Sequence, residues 1–219
     1  MIQTKTRQEI IDDFHSLWYS EAAKGITWGG TSYFGHKVWK NPTDLHLYSE
    51  LIFQLRPQLI IETGTAFGGS ALWMAHLLDQ IGSGRVLSID LKEIERNYPH
   101  HPRIIYVGGH SSTDETVLDQ VSDAVEWDVG PVMVNLDSDH SEKHVYAELN
   151  AYAPMVTENS YLVVEDVDVN GHPVYPEHGP GPYEALERWL PQHPEFVRDE
   201  RLPAQMLWSS HAFLKRRRN

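Results

Sequence analysis

The chain has 219 residues, 41% of them hydrophobic, which is enough for one domain (1–219) with a substantial core. Its net charge of −13, with no basic stripe, argues against a nucleic-acid partner. No apolar run is long enough to span a bilayer, the start Met1–Arg7 lacks a signal-peptide core, and without cysteine there is neither a disulfide framework nor a thiolate metal site. Cytoplasmic location is the default expectation, and Lys215-Arg216-Arg217-Arg218 reads as a solvated tail.

Ile10, Ile11, Phe14, Leu17 and Trp18 recur at helical spacing and predict an amphipathic helix from about Arg7 to Ala23. The segment 25–41 is irregular and rich in glycine and aromatics: Trp28, Tyr33, Phe34, Trp39. Those rings suit a substrate platform or an anchor to the core equally well, so 1–45 reads as a helix plus a substrate or lid segment. Pro42-Thr43-Asp44 starts a helix whose buried face is Tyr48, Leu51, Ile52 and Leu55. Leu59-Ile60-Ile61-Glu62 then reads as a buried strand, Thr63–Gly69 as a glycine turn, and Ser70–Leu78 as a helix.

Further strands are predicted at Arg85–Asp90, Arg103–Gly108, Pro131–Asp137 and Tyr161–Asp166, with helices from Thr113 to about Val125 and from Ser141 to about Met155. A long loop, 167–182, precedes a helix from Tyr183 to Leu190; such loops are usually functional or disordered, and this one is the candidate lid. Glu195–Arg198 and Gln205–Leu214 are close enough to pair antiparallel. Five alternations of strand and helix before that hairpin predict an α/β fold: a doubly wound, Rossmann-like sheet with a terminal antiparallel hairpin.

In such sheets ligands bind at the carboxyl ends of the strands. The residues there are Glu62, Asp90, Gly109-His110-Ser111, Asp137-Ser138-Asp139-His140 and Glu165-Asp166. Any one acid serves as a helix cap, but so many on one rim repel each other unless cations join them. The turn offers backbone N–H groups around Gly64, Thr65, Gly68 and Ser70, and Glu62 beside it suits a cationic ligand. S-adenosylmethionine (SAM), with its sulfonium and ammonium, is such a ligand. Gly64-x-Ala66-x-x-Gly69 only nearly matches the dinucleotide fingerprint, so an NAD-dependent dehydrogenase is the weaker reading.

Asp90 is placed to accept the ribose hydroxyls, and Gly109, His110 and Ser111 to lie near the adenine. Asp137, Glu165 and Asp166 form an oxygen-only set that favours a hard ion such as Mg²⁺. Asp139 reads as an N-cap as readily as a ligand. His140, three residues after Asp137, is the candidate base for a substrate hydroxyl.

At these residues the chain resembles the cephalosporin hydroxylase/rhamnosyl O-methyltransferase family. The resemblance is carried by Leu59–Ser70, Leu136–Ser141 with His144-Val145, and Val164-Glu165-Asp166, and extends to Asn41-Pro42-Thr43-Asp44 and Gly179-Pro180-Gly181-Pro182. It implies a class I, SAM-dependent and Mg²⁺-dependent O-methyltransferase acting on a sugar or other natural-product hydroxyl. It also implies Asp137, Glu165 and Asp166 as metal ligands, with Asp137 and His140 in the catalytic set and Asp137 also beside the cofactor. The competing readings are an Fe-dependent hydroxylase, drawing on Asp139, His140 and either His172 or His178, and a noncatalytic adenosyl-binding protein. Assembly as a homo-oligomer is left open.

Overall fold

The computed structural model describes residues 5–21, 24–94, 97–127, 130–201 and 211–218. Helix α1 (Arg7–Ser20) begins at Thr6, whose hydroxyl accepts from Glu9 N while the Glu9 carboxylate accepts from Thr6 N. The helix ends at Ser20 with Glu21 as its C-cap, and residues 22 and 23 of the expected extension lie outside those described. His15 is the buried residue of α1, and Ile10 and Leu17 remain exposed, so its apolar stripe is only partly covered.

The segment 25–41 contains a two-stranded hairpin, β1 (Ser32–Tyr33) with β2 (His36–Lys37). Helix α2 (Pro42–Leu55) follows, with Pro42 in its first turn and Asn41 accepting from Thr43 N. The remaining elements are β3 (Leu59–Thr63), α3 (Gly69–Ile81), β4 (Arg85–Asp90), β5 (Ile104–Gly108), α4 (Glu115–Trp127), β6 (Val132–Leu136), α5 (Glu142–Tyr152), β7 (Tyr161–Val164), α6 (Pro182–Trp189), β8 (Phe196–Arg198) and β9 (Ala212–Arg216).

Seven strands form one sheet in the order β5-β4-β3-β6-β7-β9-β8. The first five are parallel, and β9 runs antiparallel to both β7 and β8. The terminal hairpin is present, although its second strand begins at Ala212 and the expected 205–210 lie outside the described residues. Lys215 and Arg216 belong to β9, which corrects their reading as a solvated tail.

Strand β3 is buried on both faces, as a central parallel strand must be. Leu59 and Ile61 face a cluster with Val121, Leu149, Leu186 and Trp189, whereas Ile60 faces Tyr48, Ile52, Met74 and Leu78. The chain winds outward from β3 through β4 to β5, then returns to β6 on the other side. That reversal opens a crevice beyond the carboxyl ends of β3 and β6.

Candidate active site

The glycine turn after β3 is tight because other backbone crosses it. Gly64 has φ +90°, and a Cβ there would lie 1.8 Å from the Asp137 carbonyl oxygen, so only glycine fits. Beneath the turn sits Glu62, a residue of β3 itself and fully buried. Ser70 and Ser88 each donate a hydroxyl to its carboxylate, and Ser88 also meets the Thr65 hydroxyl at 2.7 Å. Burial pushes Glu62 up to about 7, opposed by Lys40 and the serine donors. Glu62 therefore braces the turn from below and is not on the wall of the crevice, where its charge was expected to meet a ligand.

The crevice is a cavity of about 680 Å³. Gly64, Thr65, Ser70, Asp90, Ser111, Asp137, His140 and Asp166 line it as expected, whereas Gly68, Gly109, His110 and Glu165 do not. The Asp90 carboxylate accepts from Ala66 N and Lys92 N at 2.9 Å each, joining the turn to the end of β4. Ser112, Ser138 and His144 also line this side, all facing Glu148 of α5: Ser138 donates to it at 2.7 Å and His144 Nε2 lies 3.4 Å away. Trp28, Trp39 and Tyr175 line the cavity too, Trp39 with its ring centre 4.8 Å from that of Phe67 in the turn.

At the centre, Asp137 follows β6 and Asp166 follows β7. His140 lies between them, Nε2 3.4 Å from Asp137 Oδ1 and Nδ1 3.2 Å from Asp166 Oδ2. One donor atom from each of Asp137, His140 and Asp166 lies within 4.8 Å of the others. Against the cost of burial, Asp166 and Asp137 hold His140 up to about 9, so the imidazole carries a proton at neutral pH while only carboxylates flank it. Two half-buried carboxylates with an imidazole between them suit a divalent cation held by the oxygens.

Glu165 lies one layer deeper. Its carboxylate meets Tyr48 Oη at 2.7 Å, Lys40 Nζ at 2.5 Å and His211 Nε2 at 3.4 Å. The same Lys40 ammonium donates to Asp137 Oδ2 at 2.7 Å. His211 also pairs with Asp44 at 3.1 Å, so a buried band of charge runs from α2 to β9 beneath the rim.

Lys40, Tyr48, His211 and Tyr19 are absent from the residues picked out by strand-end position. The Tyr19 hydroxyl lies 2.8 Å from Asp166 Oδ1 and 3.1 Å from Asp168 Oδ1, and His15 Nδ1 lies 2.9 Å from Asp168 Oδ2. These contacts fasten α1 beside the rim. The loop after β7 is fastened too: Glu184 accepts from Gly181 N and Asn170 Nδ2 and meets His172 Nε2, all within 2.9 Å.

A family model described as Rhamnosyl O-methyltransferase/CmcI matches residues 26–217. The chain belongs to this family. By that membership it is an O-methyltransferase, as the resemblance implied. The rhamnosyl O-methyltransferase of Mycobacterium tuberculosis is 36% identical over 205 residues, covering 92% of this chain and 82% of that protein. Its counterpart in Mycobacterium leprae is 36% identical over 187 residues, covering 84% and 80%. A structure of CmcI with Mg and SAM shares the fold with a TM-score of 0.63 at 19% identity, covering 85% of this chain and 76% of that one. MycE of the mycinamycin pathway, in complex with Mg, S-adenosylhomocysteine and mycinamycin VI, gives 0.57 at 20% identity, covering 92% of this chain and 54% of MycE. The doubly wound class I methyltransferase sheet is the observed fold.

Proposed function

We propose that this O-methyltransferase moves a methyl group from SAM to a hydroxyl of a sugar or other natural product, with a divalent cation, Mg²⁺, at the Asp137–Asp166 rim. The observation that carries the reading is the convergence of Asp137, His140 and Asp166 on the cavity wall that also holds Gly64, Thr65 and Asp90. A donor site and a hydroxyl-activating site share one crevice. The relatives named rhamnosyl O-methyltransferase and the Mg-, SAM- and S-adenosylhomocysteine-bound neighbours support the same cofactors and the same class of acceptor.

In this reading the turn's backbone and Asp90 hold the adenosyl part of the donor, with Ser111 at its base. Asp137 and Asp166 hold the metal, and Glu165 stands behind them. When bound, the cation draws carboxylate charge away from His140 and lowers the pKa of a hydroxyl lying on it. His140 then takes the hydroxyl proton. Bound SAM would supply the methyl group: the acceptor oxygen would bond the methyl carbon as the C–S bond breaks, its electron pair staying on sulfur, while His140 would hold the proton released.

Trp28 and Trp39 from the N-terminal part and Tyr175 from the 167–182 loop line the same cavity and offer aromatic surface for an acceptor. The testing experiment incubates the protein with methyl-labelled SAM and a panel of glycosylated natural products, with and without Mg²⁺. Label in the acceptor that disappears with chelator supports the reading. Oxygen consumption with Fe²⁺, and no labelled acceptor, overturns it in favour of a hydroxylase.

A further inference from the structure

Lys40 is a buried cation that the transfer chemistry above does not use. Its side chain is 4% exposed, yet it reaches 97 residues along the chain to Asp137 and further to Glu165, bridging the ends of β6 and β7. A buried ammonium in an apolar core normally loses its proton. Here the ammonium Nζ lies 2.7 Å from Asp137 Oδ2 and 2.5 Å from Glu165 Oε2, so two carboxylates face it.

Only a structural tether would be needed to dock the 25–41 segment, and Lys40's neighbours already supply one. Asn41 caps α2, and the Lys37 carbonyl oxygen is packed against Gly69 so closely that a Cβ there would lie 2.1 Å from it. The charge of Lys40 is thus spent on the rim. Asp137, Glu165 and Asp166 are three neighbouring carboxylates; His140 stands between Asp137 and Asp166, and Lys40 occupies an oxygen on each of Asp137 and Glu165. His211, also buried there, lies between Asp44 at 3.1 Å and Glu165 at 3.4 Å, so Lys40 is the buried cation that touches Asp137.

We propose that Lys40 is a positioning residue of the metal rim: a built-in cation that orients Asp137, keeps Glu165 turned inward, and restrains the rim's affinity for a divalent ion. The inference rests on the metal reading of Asp137 and Asp166. Replacing the ammonium by a neutral chain of similar length removes a like charge beside the cation and frees the Asp137 Oδ2 oxygen, leaving Glu165 with His211. The rim of such a variant binds Mg²⁺ more tightly, although it is less stable without it.

The test compares the full-length wild type with Lys40→Met and Lys40→Arg, using calorimetric titration with MgCl₂ and melting temperature with and without Mg²⁺. Lys40→Met is expected to melt lower in chelator, to bind Mg²⁺ at least tenfold more tightly, and to gain a larger Mg²⁺-induced rise in melting temperature. Lys40→Arg, which keeps the charge, stays near wild type in affinity. An unchanged or weaker affinity in Lys40→Met, with the wild type binding normally, overturns the inference and leaves the metal reading intact. If the wild type itself shows no Mg²⁺ response, the metal reading falls and this inference with it. Should Lys40→Met not fold in chelator, its refolding is repeated with Mg²⁺: recovery supports the proposal, and equal failure in both conditions contradicts it.

Discussion

His140 has a carboxylate near each ring nitrogen, an arrangement that serves both to hold the ring and to set its charge. Its replacement by alanine removes the proposed proton acceptor but nothing at the donor end of the cavity. His140→Ala is expected to lower kcat by about 10²–10⁴-fold, with SAM affinity by calorimetry unchanged. Glu62 makes the opposite kind of prediction, about folding. Its pKa rises from 4.5 to about 7 on folding, so between those values the folded state keeps a proton that the unfolded chain releases. Stability therefore falls as pH rises through that window, and the cost is complete above about pH 7. Glu62→Gln, which can still bond Ser70 and Ser88, is expected to be more stable than wild type at pH 8, by on the order of 2 kcal/mol, and about equal at pH 5 in urea unfolding. Asp137, His140 and Asp166 were legible because strand ends announce themselves in apolar runs. Lys40 and Tyr19 were not: their partners lie 97 and 147 residues away, and no local pattern marks a side chain that reaches across the sheet.

Among the elements, the turn between β3 and α3 is the most constrained, since it is wedged against the exit of β6 at Gly64. Gly64→Ala is expected to destabilise the protein by roughly 3 kcal/mol or more, read as a lower urea midpoint, because it combines a left-handed backbone with a backbone clash. The doubly wound, mostly parallel sheet followed from the alternation of helix and strand, although no helix stands between β4 and β5 among the described residues. The strand ends did not follow as closely. Strands β6 and β7 stop at Leu136 and Val164, so that Asp137, Glu165 and Asp166 lie just past the parallel ladder. Periodicity sees their acidity but not where pairing ceases. It ends the strand at Glu62, whereas β3 runs on to Thr63, and it does not show that the Glu62 carboxylate lies buried under the turn. Helix α1 shows the limit in another way: its apolar stripe is real in sequence, yet what fastens it is the polar pair His15 and Tyr19.

For the molecule as a whole, the net charge is −13, and Asp90, Asp137 and Asp166 share one edge of the sheet, where the winding reverses. The proposed account requires a sulfonium donor and a divalent cation to sit as neighbours in that single crevice. The direct measurement is proton NMR of the SAM S-methyl group in the presence of protein, with Mn²⁺ replacing Mg²⁺ as a paramagnetic ion. The account predicts strong broadening of that resonance by protein with Mn²⁺, reversed by added Mg²⁺ and lost in Asp137→Ala. A methyl resonance that broadens no more with Mn²⁺ than with Mg²⁺, in protein shown to bind both ligands, contradicts it.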